Sequence, residues 1–317
     1  MSEVIMFGEP MVMFTAVTAG PLEEVSHFTR LLAGAEVNVA IGLRRLGHTV
    51  SYVTKLGKDP FGRYIRRKLE EEQIEAYILE ESDYWTGFQL KNKVVSGDPE
   101  VCYFRKNSAA SHITPEDVER IDFTGAKLLH LTGIPAALSA DCRAASFRLL
   151  ERAKEAGLTI SFDPNLRPTL WESPEVMKET VNALAAQADI VLPGIGEGEI
   201  LTGSRNPEEI AAYYRGQGAK MVFVKAGPDR TFVSAGKEKY FVPGFRVEHV
   251  VDTVGAGDGF AVGILSALLE QKTVPEMAER GNAIGAMQVM VESDNEGLPG
   301  ARELADFILS HRSGCAC

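Results

Sequence analysis

The stretch KLLHLTGIPAALSADCRAASFRLLERAKEAGLTISFDPN, Lys127 to Asn165, holds two short apolar runs with one amphipathic segment between them. KLLHLTG and LTISFDPN show little alternation, as expected of strands covered on both faces of a parallel sheet. The intervening ADCRAASFRLLERAKEAG reads as a helix over 140–156, with Ser139 or Asp141 able to cap its start and Gly157 following its end. The same punctuation recurs downstream, where DIVLPG and MVFVKAG alternate with segments such as PEEIAAYYRGQG. These are βαβ units. They predict an α/β fold with a mostly parallel central sheet and helices on both faces. EVIMFGE supplies a first strand of the same sheet, and AEVNVAIGLRRLG an early helix packed against it.

One region breaks the rhythm. WTGFQLKNKVVSGDPEVCYFRKNS, Trp85 to Ser108, reads as two strands about a Ser-Gly-Asp-Pro turn with no helix between them. With the extended MVMFTAVTAG near the amino terminus it forms either a small β-sheet lid, built from about 11–32 and 85–108, or an edge hairpin of the main sheet.

Bulk properties narrow the function. The chain has 317 residues, enough for one large α/β domain or a domain with an appendage. Its 33 Lys and Arg against 44 Asp and Glu give a net charge of −11. That argues against nucleic-acid or anionic-membrane partners, and an anionic ligand would need locally placed cations. Cys102, Cys142, Cys315 and Cys317 lack zinc-ribbon or disulfide-scaffold spacing, which suits a reducing cytoplasm; the last two belong to a carboxyl-terminal tail. No stretch approaches ~18 uninterrupted apolar residues. The six histidines form no ligand-like cluster in the sequence.

Chemistry concentrates where the parallel strands end, a usual place for ligands in α/β folds. After LTISF come Asp163, Asn165 and Arg167; after DIVLP comes Glu197; after MVFVK come Ala226 and Gly227. The last such place is VVDTVGAGDGFAVG, Val250 to Gly263, a glycine turn flanked by Asp252 and Asp258 that runs into an apolar helix. A Walker-type loop would carry Lys and then Ser or Thr after its glycines, and here Asp258-Gly259 stands instead. A division of labour explains an acid beside an anion-binding turn. The N–H groups from Gly255 through Ala256 and Gly257 to Asp258 can stabilise charge on a transferred phosphoryl group. Asp258 faces the acceptor and takes a proton from its hydroxyl, while Asp252 orients the turn or serves a metal shell. Read singly, Asp258 is equally a helix cap.

AGAEVNVAIGLRRLG, FDPNLRP, LPGIGEGEILTG and DTVGAGDGF, in this order through nearly the whole chain, resemble the ribokinase (pfkB-type) carbohydrate kinases. Within that family YFRKNSAAS, DPNLRPTLW and PGIGEGEILTG are most similar to 2-keto-3-deoxygluconate kinases. The resemblance implies a parallel sheet with helices on both faces, a β lid over the sugar, and ATP with Mg²⁺ as phosphoryl donor. It gives Asp258 the role of base and Gly255, Ala256 and Gly257 that of anion hole. Gly34 and Asn38 would hold sugar hydroxyls, Lys225, Gly227 and Asn282 the nucleotide, and Glu197 a metal-bound water. The family's Asn-x-x-Glu before that helix is here Gly194 to Glu197, so one amide is missing.

The expected reaction is phosphate transfer to a primary hydroxyl of a sugar acid, 2-keto-3-deoxygluconate giving its 6-phosphate. The alternatives are a kinase of a neutral sugar of fructose, ribose or tagatose type, or a sugar-sensing protein on a kinase fold. What separates the first two is a cation aimed at a carboxylate. Tyr103 and Arg105, two apart on a strand, share a face; pairing Gln89 with Arg105, and Lys91 with Tyr103, brings Gln89 to it. Arg105 then reads the carboxylate, while Arg167, beside Asn165, reads the transferring phosphate. The alternative is that Arg105 merely solvates the lid beside Lys91, Lys93 and Lys106. Phe88, Leu90 and Val94 on an apolar lid face suggest a homodimer joined through the lids.

Overall fold

The computed structural model describes residues 2–81, 83–94 and 99–313. Among them lie thirteen strands: β1 (Val4–Phe7), β2 (Met11–Ala19), β3 (Phe28–Ala33), β4 (Val50–Gly57), β5 (Glu75–Glu81), β6 (Phe88–Lys93), β7 (Val101–Phe104), β8 (Leu128–Thr132), β9 (Thr159–Asp163), β10 (Ile190–Val191), β11 (Met221–Lys225), β12 (Arg230–Ala235) and β13 (Glu238–Pro243). Nine form one sheet in the order β13-β12-β11-β10-β9-β8-β1-β4-β5. Every pairing from β11 through to β5 is parallel, and β12 and β13 add antiparallel at the other edge.

β1 shows why these strands read as unbroken apolar runs. Val4 and Met6 belong to the core formed with the helices Ala35–Arg45, Ala256–Leu269 and Val274–Gln288, while Ile5 and Phe7 belong to that formed with Ala140–Glu155 and Pro174–Ala185. All four side chains are buried, so period-2 alternation has nothing to distinguish. The Ala140–Glu155 helix starts where expected, with Ser139 Oγ accepting from the Cys142 N–H at 3.0 Å, and Gly157 follows it at φ 74°.

The remaining strands form a separate four-stranded sheet, β3-β2-β6-β7, so the hairpin is not an edge of the main sheet. β2 and β6 pair in parallel; β2–β3 and β6–β7 are antiparallel. The expected register is off by two residues: Gln89 lies opposite Tyr103 and Lys91 opposite Val101. A shift of two preserves the face, so Gln89, Tyr103 and Arg105 still fall on one side. Ser96, Gly97 and Asp98 of the expected turn lie outside the described residues, as do Cys315 and Cys317. The opposite face is partly covered by the chain itself. Phe88 stacks on Phe104 with ring centroids 4.6 Å apart, and Phe61 of the Pro60–Glu71 helix meets Phe14 and Phe88 at 5.6 Å each. Asp59 ties the two sheets, its carboxylate accepting from the N–H groups of Phe61, Gly62 and Thr86. Among the described residues, no helix is long and apolar enough to cross a membrane.

Candidate active site

A cavity of about 450 Å³ opens between the two sheets at the carboxyl ends of the parallel strands. Glu9 reaches it after β1, Asn165 and Arg167 after β9, Glu197 after β10 and Lys225 from the end of β11. Gly34 and Asn38 enter at the start of the Ala35–Arg45 helix, and Gly255, Gly257 and Asp258 at the start of Ala256–Leu269. The small sheet closes it with Gln89, Lys91, Tyr103 and Arg105.

Gly255 caps the Ala256–Leu269 helix in the left-handed region, at φ 82°. A Cβ there would sit 2.8 Å from the Asp294 carbonyl oxygen, so both the dihedral and the space call for glycine. The first N–H groups of a helix have no intrahelical carbonyl, and together with the helix dipole they favour an anion. Asp258, in that first turn, turns its carboxylate toward Asn38 and Asn165. Its Oδ2 accepts from Asn38 Nδ2 at 2.8 Å and its Oδ1 from Asn165 Nδ2 at 3.4 Å. Burial pushes its pKa up to about 7; the Asn38 hydrogen bond opposes the rise and the charge of Asp163 adds to it. A carboxyl poised there is both a usable base at neutral pH and an acceptable conjugate acid.

At the ends of β9 to β11, Lys225 Nζ donates to Asp163 Oδ2 at 2.8 Å and to Oδ1 at 3.0 Å, and lies 3.9 Å from Glu197 Oε2. Burial opposes its charge, but Asp163 and Glu197 outweigh that and raise its pKa. Glu197 is held by backbone: Oε2 accepts from the Gly194 N–H at 2.7 Å and Oε1 from the Leu166 N–H at 3.0 Å. Arg167 is exposed at the rim, Nη1 donating to the Leu166 carbonyl, and no carboxylate among the described residues is ion-paired with it. Ala256, Gly227, Asn282 and Asp252 do not line the cavity. Asn282 accepts from Thr231 Oγ1 at 2.6 Å and donates to the Val242 and Pro243 carbonyls, bracing the end of β13. Asp252 accepts from the Val254 N–H at 3.0 Å, which fits the turn-orienting half of its expected role.

Three residues escaped the sequence reading. Glu9, 1% exposed, accepts at Oε2 from Arg105 Nε and lies 2.6 Å from Arg105 Nη2; its Oε1 accepts from Ser108 Oγ. Arg105 is therefore fixed by a buried partner at the cavity wall. Lys91, given no site role from the sequence, is 3% exposed and bonds Asp252, with Asp294 Oδ1 at 3.5 Å. Glu9 could have been found by the rule that located the other acids, since it follows the first strand; Lys91 and Asp294 carried no local signal.

Magnesium takes few protein ligands when it arrives with substrate phosphates. Among the described residues no three His, Cys, Asp or Glu gather as a cage. With Glu197 and Asp163 beside Lys225, the donor set fits a metal carried largely on phosphate oxygens.

Residues 1–301 match the sequence family described as pfkB family carbohydrate kinase. The chain is 46% identical, over 98% of its length and 97% of the relative's, to a 2-dehydro-3-deoxygluconokinase of Bacillus subtilis (strain 168), and 32% identical, over 96% and 97%, to fructokinase-1 of Zea mays. Among solved structures it resembles a PfkB protein from Polaromonas sp. JS666, with a TM-score of 0.88, 44% identity and 96% and 99% coverage. It also resembles an E. coli protein solved in complex with ATP and Mg²⁺, with a TM-score of 0.89, 25% identity and 98% and 100% coverage.

Proposed function

The chain belongs to the pfkB family of carbohydrate kinases, and on that premise we propose that it phosphorylates 2-keto-3-deoxygluconate from ATP and Mg²⁺, giving the 6-phosphate. The observation that carries the substrate reading is Arg105, whose guanidinium is buried on the cavity face of the small sheet with Gln89 and Tyr103 on the same face. A fixed, largely desolvated guanidinium suits a carboxylate and is wasted on a neutral sugar.

The acceptor hydroxyl gives its proton to Asp258, oriented by Asn38 and Asn165 while Gly34 and Asn38 hold the sugar. The N–H groups of Gly255, Ala256, Gly257 and Asp258 take up charge on the phosphoryl group, with Lys225, Asn165 and Arg167 facing the phosphates and Gly227 and Asn282 on the nucleotide side. Mg²⁺, when bound, neutralises phosphate charge, with Glu197 holding one of its waters. Asp252 supports the turn. Little covalent work is required of the protein, because phosphoryl transfer depends on positioning and electrostatics.

The chain acts as one kinase domain, residues 1–317, with 11–32 and 85–108 as the lid over the sugar, and works in the cytoplasm. It pairs as a homodimer through lid edges that leave Val17 and Phe104 exposed; concentration-independent monomer mass in light scattering would contradict this. ADP release measured across keto-acids and neutral sugars tests the substrate. Best turnover on 2-keto-3-deoxygluconate is expected, and best turnover on fructose or ribose overturns the sugar-acid reading in favour of a neutral-sugar kinase.

A further inference from the structure

Lys91 is the second residue of the small sheet, after Arg105, whose charge is buried against the main domain. Its ammonium bonds Asp252 Oδ2 and lies 3.5 Å from Asp294 Oδ1; the three side chains are 3%, 9% and 6% exposed. Both carboxylates belong to the anion-hole turn or pack on it. Asp252 opens the turn and accepts from the Val254 N–H, and the Asp294 carbonyl oxygen closes over Gly255. The segment carrying Asp294 also reaches the sugar side: Asn295 Nδ2 donates to Asn38 Oδ1 at 3.2 Å and to the Leu32 carbonyl of β3 at 2.9 Å. Two residues along β6, Lys93 repeats the link at the surface with Glu292, at 2.8 Å.

Without the ammonium, two buried carboxylates would face each other beside the place where phosphates arrive. Asp294 already has its pKa raised, by burial first and then by Asp252, with Lys91 opposing. Like charges so placed push apart, and Asp252 cannot move without carrying the Val254 N–H and the turn with it. The cation comes from a strand of the other sheet, so it is present only when the small sheet is seated over the cavity.

We infer that Lys91 is a positioning residue for phosphoryl transfer: seated between Asp252 and Asp294, it sets the Gly255–Asp258 anion hole when the small sheet covers the sugar. This rests on the kinase reading of the site but not on which sugar is taken, so the test uses whichever sugar the wild-type enzyme phosphorylates best. In Lys91→Ala, kcat falls by about tenfold or more while KM for the sugar stays within about threefold, the mark of a group that acts at the transition state. Propylammonium, which matches the atoms removed beyond Cβ, restores kcat of Lys91→Ala saturably and leaves the wild type unchanged. Lys93→Ala, cutting only the exposed link, keeps kcat within about twofold. Wild-type kcat in folded Lys91→Ala overturns the inference, as does a large rise in sugar KM at unchanged kcat, which would make Lys91 a direct substrate ligand. Loss of kcat that the amine does not restore overturns it too, because the missing charge would not be the cause. Should Lys91→Ala fail to fold, Lys91→Gln keeps the stem: kcat lost with sugar KM kept supports the inference, and both kept refutes it.

Discussion

Replacing Asn38 with Ala tests the base directly, because Asn38 Nδ2 donates to Asp258 Oδ2 at 2.8 Å and favours the ionised carboxyl. A catalytic base works only when ionised, and kcat/KM reports the free enzyme. With Asp258 titrating at about 7, wild-type kcat/KM should climb about tenfold between pH 6 and pH 8 and then level. A hydrogen bond to a charged group is worth about 1.5–3 kcal/mol, which at about 1.36 kcal/mol per pH unit is one to two units. Water entering the gap recovers part of it, so the expected displacement is about one unit, upward. In Asn38→Ala the midpoint moves to about 8, leaving the variant about tenfold worse at pH 7 than at pH 9. Coupled ADP-release rates at low sugar and saturating ATP, from pH 5.5 to 9.5 at constant ionic strength, give both curves. Any role of Asn38 in gripping the sugar lowers the whole curve without moving its midpoint. A shared midpoint, or one displaced downward, refutes the assignment of Asp258 as an amide-tuned base.

Asp258→Asn keeps shape and removes the base, so kcat should fall by about a hundredfold or more. Its Tm at pH 8 should also exceed the wild type's: a carboxyl whose folded pKa is raised from 3.8 to about 7 keeps its proton where the unfolded chain has lost it, so wild-type stability drains as pH rises through that window. Arg105→Ala should raise KM for a sugar acid while barely moving KM for ATP. It also strands the Glu9 carboxylate, a cost of about 3–5 kcal/mol that denaturant melts should show and that Arg105→Ala with Glu9→Gln should largely return. In Gly255→Ala, the left-handed φ costs about 1–2 kcal/mol and the Cβ displaces the Asp294 carbonyl, so kcat should drop by more than the stability loss alone accounts for; unchanged kcat would show the turn tolerates movement.

The main sheet was legible because a strand covered on both faces leaves a pattern in its own residues, as Val4 to Phe7 do. The face shared by Gln89, Tyr103 and Arg105 was legible for a related reason: strand parity is local. Register is not, since it depends on the turn and on what packs above and below, and there the expectation slipped by two residues. Lys91 shows the limit most plainly. Beside Lys93 it reads as surface charge, and the carboxylate that buries it lies 161 positions away. Asp258 and Asn38 are separated by 220 positions, yet both sat in recognisable motifs, so both were named as candidates without any knowledge of their contact. Asn282 was named only through the family resemblance, and its amide is committed to Thr231, Val242 and Pro243.

The parallel pairing of β2 with β6 has a consequence for anyone wishing to change what this enzyme accepts. The small sheet is spliced from two excursions, one leaving after β1 and one after β5, joined along Val12↔Phe88, Met13↔Gln89, Phe14↔Leu90 and Thr15↔Lys91. Gln89, Tyr103 and Arg105 all ride on the second excursion, and the first lends them a backing. Acceptor preference could therefore be transplanted from another family member by exchanging one continuous segment. The graft must still present four ladder positions in step with Val12 to Thr15 and a cation where Lys91 stands. A donor segment one residue longer on the approach to β6 would carry its recognition side chains to the wrong side of the sheet, however well its sequence matched.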